Sequence, residues 1–253
     1  MKLILIVFAI LIQSIALAEC ETRPIVIAVI DTGFGRGFPG EETAKLCQYG
    51  HKDFSGYDIY ENKFHTKDLV PVDSHGHGTH IAGLIDKYAK LGTENYCLVI
   101  LKYEDPWRAS MIFHPFEKDY KIKNTIAAIN YARNIGADYI NYSSGGDGTL
   151  NDEIIAVKKY IDAGGKFVAA AGNEHSDLAK NPYYPAVDDD RVIVVGSINQ
   201  NGKRAKYSNY GSRVNRWEIG TAVEVYENRM SGTSQAAAIA TGKLVSQTKN
   251  ICK

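Results

Sequence analysis

Three short stretches of the chain hold residue types that can share one reaction. Val29-Ile30-Asp31-Thr32-Gly33 sets a carboxylate at the end of an apolar run. His77-Gly78-Thr79-His80-Ile81-Ala82-Gly83 sets an imidazole at the opening of a helical pattern, and Gly232-Thr233-Ser234-Gln235-Ala236-Ala237 sets a hydroxyl at the opening of another. A serine hydroxyl is a weak nucleophile at neutral pH and needs an adjacent base. An imidazole can take its proton and later return it to a leaving amine. A carboxylate on the far ring nitrogen fixes the tautomer and stabilises the imidazolium. The helix positions add to this. A histidine at a helix N-terminus feels the positive end of the dipole, so His77 is expected to stay neutral. Backbone N–H groups left unpaired beside Ser234 can donate to a developing oxyanion. Taken singly, Asp31 reads equally as a turn residue and Ser234 as a helix cap.

A metal site competes with this reading. Asp73, His75, His77 and His80 fall within eight residues, and such clusters bind zinc. His77 and His80 lie near one face of the expected helix. A metal centre would leave the Asp31 and Ser234 stretches unexplained.

The elements that must position these groups alternate along the chain. Ile25–Ile30 is a nearly all-apolar run that reads as a strand buried on both faces. Leu98–Lys102, Tyr139–Tyr142, Phe167–Ala171 and Val192–Val195 are further short apolar runs. Helical patterns lie between or after them, at Thr79–Tyr88, Ile122–Asn134, Ile154–Ile161 and Gln235–Val245. In the second, Ile122, Ile126, Ile129 and Ala132 share one face. Alternating strands and helices predict a single α/β domain with a doubly wound, mostly parallel sheet. Ligands of such sheets bind beyond the carboxyl ends of the strands, where Asp31 and Asn173 fall. Arg36–Asp73 and Tyr103–Asp119 show no clear periodicity and read as loop-rich insertions. Tyr49, Tyr57, Tyr60, Trp107, Phe113 and Phe116 make them aromatic.

The chain has 253 residues and a formal net charge of zero. No basic surface points to nucleic acid and no polybasic run to a membrane surface. Residues 1–18 read as a cleavable export signal: Lys2, an apolar run from Leu3 to Leu11, and an Ala16-Leu17-Ala18 end. A membrane anchor is the alternative, but Gln13 and Ser14 interrupt the run. Lipid attachment at Cys20 is disfavoured by Glu19 before it. Export leaves a domain at 19–253 and a secreted, extracellular or periplasmic, location. Cys20, Cys47, Cys97 and Cys252 then suggest two disulfides with three pairings open.

The three motifs, in the order Asp…His…Ser, resemble those of the subtilisin-like serine peptidases. That order differs from the chymotrypsin and α/β-hydrolase orders. The resemblance runs from about Ile25 to Gly242. It implies a subtilisin-like fold and a serine endopeptidase acting through Asp31, His77 and Ser234 on protein or peptide substrates, with no cofactor. Phe167-Val168-Ala169-Ala170-Ala171-Gly172-Asn173-Glu174 resembles the segment that supplies the oxyanion-hole amide, which falls on Asn173. Ile140-Asn141-Tyr142-Ser143-Ser144-Gly145-Gly146 resembles the strand that pairs with substrate backbone. The specificity pocket would take its walls from Ser143, Ser144 and Gly145 and from Ala169 to Gly172, including Ala170. Aligning Tyr184-Pro185 with the family's similar pair sets Tyr183 near the pocket floor, with apolar side chains expected before the scissile bond.

There are departures from the family pattern. Ala238 stands where a proline is usual and Ile239 where a histidine is common. Trp217-Glu218-Ile219-Gly220 replaces an Ala-Pro-Gly turn. Many relatives bind structural calcium, yet only Glu94 and Asn95 are candidates after the His77 helix. By resemblance His80 is structural, and His75 has no role. About six residues separate Ala18 from Ile25, too few for the usual folding pro-region. The domain is therefore expected to fold with its disulfides or with a separate chaperone or inhibitor in trans. A non-catalytic peptide-binding relative remains the second reading.

Overall fold

A computed structural model describes residues 22–35, 44–47, 54–59, 63–66, 71–106, 117–248 and 251–252. The export signal, Cys20, Tyr49, Tyr60, Trp107, Phe113 and Phe116 lie outside them.

The elements begin with β1 (Thr22–Arg23), β2 (Ile25–Asp31), β3 (Phe54–Asp58), β4 (Lys63–Thr66), α1 (His77–Ala89) and β5 (Tyr96–Lys102). Then come α2 (Glu117–Asn134), β6 (Tyr139–Tyr142), α3 (Asn151–Asp162), β7 (Lys166–Ala170) and β8 (Ile193–Ile198). The last are β9 (Arg216–Ile219), β10 (Val223–Val225), β11 (Asn228–Met230), α4 (Thr233–Ser246) and β12 (Ile251–Cys252).

The main sheet has the order β4-β3-β5-β2-β6-β7-β8-β9. Every neighbouring pair is parallel except β3–β4. β2 explains why this sheet needs two covers. All seven of its residues are buried, and they split by strand alternation between two cores. Val26, Ala28 and Ile30 pack with Ala128, Ile129 and Ala132 of α2 and with Ala156, Val157 and Tyr160 of α3. Ile25, Ile27 and Val29 pack with Ile81, Leu84 and Ile85 of α1 and with Ala236, Ala237 and Ala240 of α4. Burying one such Ile or Val contributes about 1.5–3 kcal/mol, so a polar residue at any position from 25 to 30 would open one core or the other.

Each strand expected from an apolar run is present, with ends shifted by a residue or a few. Two segments differ from expectation. Arg36–Asp73 is not all loop: β3 and β4 form an antiparallel hairpin on the sheet edge, β3 parallel to β5. The edge position removes the need for the alternation that betrays a half-buried strand. Tyr103–Asp119 includes the start of α2 at Glu117, where Glu117-Lys118-Asp119 is all charged and carries no apolar period. The sheet also continues through β9, where Glu218 pairs with Arg216 at 3.0 Å and with Lys243 of α4 at 2.7 Å. The Trp217-Glu218-Ile219 departure is thus an edge strand tied to α4. Among the described residues no helix is long and apolar enough to cross a membrane.

Cys47 is bonded to Cys97 at the second residue of β5. β1 pairs with β12 so that Thr22 faces Cys252.

Candidate active site

The strand order switches sides at β2: β5 lies on one side of it and β6 on the other. The crevice at the carboxyl end of such a switch point is where this sheet type binds ligands. Asp31 is the last residue of β2, and its carboxylate is 2% exposed. Thr32 N–H donates to Asp31 Oδ1 at 2.8 Å. His77 Nδ1 lies 2.7 Å from the same oxygen, and because a carboxylate only accepts, Nδ1 carries the proton.

Two glycines permit this approach. A Cβ on Gly78 would stand 2.3 Å from the Gly33 carbonyl oxygen, and one on Gly33, at φ +118°, 2.6 Å from that of Pro71. The Asp31-Thr32-Gly33 turn therefore lies directly on the first turn of α1.

Asp73 holds that first turn in place, a part the sequence reading did not give it. Its carboxylate accepts from the backbone N–H groups of His75 (2.9 Å), Gly76 (2.8 Å) and Thr79 (2.9 Å). It also accepts from the hydroxyls of Thr32 (2.9 Å) and Thr79 (2.6 Å). Burial raises the Asp73 pKa, but the hydrogen bonds from Thr79, Gly76 and Thr32 outweigh it, and the net shift is downward. Asp73 lies four residues ahead of the helix it serves, outside its first turn.

The histidines do not converge. His80 is buried, and its Nε2 lies 3.2 Å from both the Val223 and the Asn228 carbonyls, which makes Nε2 the protonated nitrogen. Burial lowers its pKa, ahead of the opposing carbonyl contacts. His80 thereby ties α1 to the β10–β11 hairpin. His75 is exposed at the cleft mouth. Among the described residues no cluster of three metal-ligating side chains forms. Glu94 is ion-paired with Lys45, and the Asn95 amide donates to the Arg23 carbonyl.

Burial also pulls the His77 pKa down, but the Asp31 charge and hydrogen bond, with the charges of Asp73 and Glu104, outweigh it. The net shift is upward. The direction is opposite to the one expected from the helix terminus: a buried carboxylate at hydrogen-bond distance exceeds a partial charge at the helix end.

Ser234 is the second residue of α4, so its N–H has no intrahelical acceptor. The Asn173 side chain serves this helix end: Asn173 Oδ1 accepts from Thr233 N–H at 2.9 Å and from the Thr233 hydroxyl at 3.1 Å. That fixes the amide so that Nδ2 is the donor left over. Ala238 and Ile239 are buried within a continuous helix, so neither departure from the family pattern breaks it. The Ser234 hydroxyl donates to the Ser143 carbonyl at 2.8 Å. It does not bond His77 in this structure. Both nevertheless line one cleft of about 240 Å³ with Asp31, Ser143, Ser144 and Tyr183.

The substrate-side residues divide. Ser143 and Ser144 line the cleft. Gly145 and Gly172 flank the Tyr183 ring: a Cβ on Gly145 would be 2.3 Å from it and one on Gly172 3.0 Å. Gly146 and Tyr184 exchange backbone hydrogen bonds of 3.0 and 2.8 Å, which pins the Tyr183 segment to the Ser143–Gly145 segment. Ala170 belongs elsewhere: at 1% exposure it packs in the core beneath α1 and α4, because alternation along β7 turns it from the cleft.

The fold and cleft place the chain among doubly wound α/β proteins that gather an aspartate, a histidine and a serine at the carboxyl edge of the sheet. A family model described as the subtilase family matches residues 22–249, and the chain belongs to that family. It is 31% identical over 232 residues to a thermophilic serine proteinase of Bacillus sp. (strain AK1), a match covering 88% of this chain and 53% of that protein. It is 29% identical to alkaline serine exoprotease A of Vibrio alginolyticus, covering 87% of this chain and 37% of the relative. The chain thus spans about half or less of the length of these curated relatives. Among solved structures, a cold-adapted subtilisin-like serine proteinase superposes with a TM-score of 0.64 at 26% identity, covering 86% of this chain and 72% of that one.

Proposed function

We propose that the chain is an exported serine endopeptidase with Asp31, His77 and Ser234 as its triad. The observation that carries this is the 2.7 Å Asp31–His77 contact in a cleft that Ser234 also lines. Protonation of Nδ1 leaves Nε2 as the basic nitrogen that takes the Ser234 proton. Ser234 Oγ attacks the substrate carbonyl, and the developing oxyanion is met by Ser234 N–H and Asn173 Nδ2. His77 then protonates the leaving amine, and a water repeats the sequence to free the acyl group. The substrate lies extended along Ser143–Gly145 and adds a strand there, with affinity from main-chain hydrogen bonds. The reaction as derived needs no cofactor.

The Ser234 hydroxyl must leave the Ser143 carbonyl before it can reach His77. Such contacts often tighten only when substrate is bound. This same feature favours the second reading, a peptide-binding relative without turnover. Labelling with a fluorophosphonate separates the two. Stoichiometric labelling of the wild type, with none in Ser234→Ala and a loss of kcat by orders of magnitude, supports the enzyme. Near-normal proteolysis by Ser234→Ala would remove the proposal.

A further inference from the structure

Glu104 was no candidate from the sequence, yet it follows β5 into the cleft and lines it with Asp31, His77 and Ser234. Asp31 is buried behind His77, whereas the Glu104 side chain is 27% exposed. Of its two oxygens, Oε2 is engaged, by the Tyr103 hydroxyl at 2.9 Å and by Lys121 Nζ at 2.9 Å. Oε1 has no hydrogen-bond partner among the described residues.

We propose that Glu104 forms an acidic subsite that selects a basic substrate side chain, arginine above lysine, at the residue preceding the one that enters the Tyr183 slot. The proposal rests on the peptidase reading and adds a substrate class to it. Sheet order sets the position. From one side of the cleft to the other, the strand ends run β5, β2, β6, β7. Glu104 follows β5, Ser143–Gly145 follow β6, and Gly172 follows β7. A substrate strand laid along Ser143–Gly145 turns successive side chains to opposite sides. If one enters the slot between Gly145, Gly172 and Tyr183, its N-terminal neighbour faces His77 and Glu104.

Lys121 is the internal cation at this position. It is 35% exposed, and exposed ion pairs of this kind contribute little. An arriving guanidinium takes the vacant Oε1 and displaces Lys121 from Oε2, a two-pronged contact that an ammonium cannot make.

The test uses two quenched peptides that differ only at the position before the slot residue, arginine against norleucine. Each enzyme preparation is first titrated with fluorophosphonate, so kcat/KM refers to folded active sites. The wild type is expected to favour arginine on the order of tenfold, less at high salt. Glu104→Gln should bring the ratio near one, whereas Lys121→Met, which removes the competitor, should raise it. A merely structural defect would not move the two ratios in opposite directions. Fully labelled Glu104→Gln enzyme with an unchanged ratio, or a wild type that prefers norleucine, overturns the subsite alone. A wild type that takes up no fluorophosphonate overturns the peptidase reading and the subsite with it.

Discussion

Ser143 and Ser234 hold each other by two reciprocal hydrogen bonds: Ser234 Oγ donates to the Ser143 carbonyl at 2.8 Å, and Ser143 Oγ donates to the Ser234 carbonyl at 3.0 Å. The pair is the outer end of a buried chain. Asn141 Nδ2 donates to Ser143 Oγ at 2.9 Å, and the Thr241 hydroxyl donates to Asn141 Oδ1 at 2.9 Å. β6 and α4 are thus linked by polar contacts in an otherwise apolar interface, and the serine is positioned from both.

Ser143→Ala should therefore loosen the nucleophile without touching the base. It strands the Asn141 amide and takes a second donor from the Ser234 carbonyl, at a cost of about 1–3 kcal/mol. Denaturant unfolding should show that loss. Turnover should fall about 10–10²-fold through misplacement of Ser234. Unchanged kcat/KM would mean that the link does not position it.

Much of this architecture was legible because burial leaves a mark. Ile25–Ile30 announces a two-sided strand, and Ile122, Ile126, Ile129 and Ala132 announce the covered face of α2. What leaves no mark is geometry between distant segments. The Asp73 carboxylate looks like one member of a histidine-rich cluster until five donors converge on it. Glu104 sits in a stretch with no periodicity, so only the strand order shows that it meets the cleft. Tyr183 was reachable only through resemblance, and the hydrogen of the Ser234 hydroxyl was not reachable at all.

Asp73 gives the fold an acid-sensitive joint. Its folded pKa is depressed, so its stabilisation is present above the unfolded value of about 3.9. It is lost as pH falls through the folded value. Asp73→Asn should lose about 2 kcal/mol or more at neutral pH and flatten the stability profile below pH 4. Thermal unfolding across pH 2–7 checks this, and parallel wild-type and variant curves would contradict it.

Glu153 and Asp188 behave in the opposite sense. Glu153 is buried in the first turn of α3, and burial pushes it up to about 7 against the opposing Thr149 hydrogen bond. Asp188 is pushed up to about 7 by burial and then by the Glu153 charge. A raised carboxyl contributes its stability at low pH and loses it as pH rises through the folded value. Glu153→Gln should therefore raise stability above pH 7 by about 1–3 kcal/mol and change little at pH 4. A variant less stable than the wild type at pH 8 would refute this account.

The Tyr183 ring between Gly145 and Gly172 predicts a shallow slot. Tyr183→Gly should widen acceptance of large aromatic side chains immediately before the cleaved bond, by about 10–10²-fold in kcat/KM. Profiling of cleavage products from a peptide library reads this directly. An unchanged profile would put the substrate side chain somewhere other than this slot.

The Cys47–Cys97 bond spans a separation of 50 residues, and His77 lies inside the ring it closes. On the peptidase reading, the chain's own surface loops are targets. A single self-inflicted cut anywhere between these two cysteines leaves one covalent molecule, with the base still fastened to the strand that precedes Glu104. Nicked protein should run as full-length chain until it is reduced, and only then as two fragments. The bond would then set how the molecule wears, because a wound in this ring can be survived.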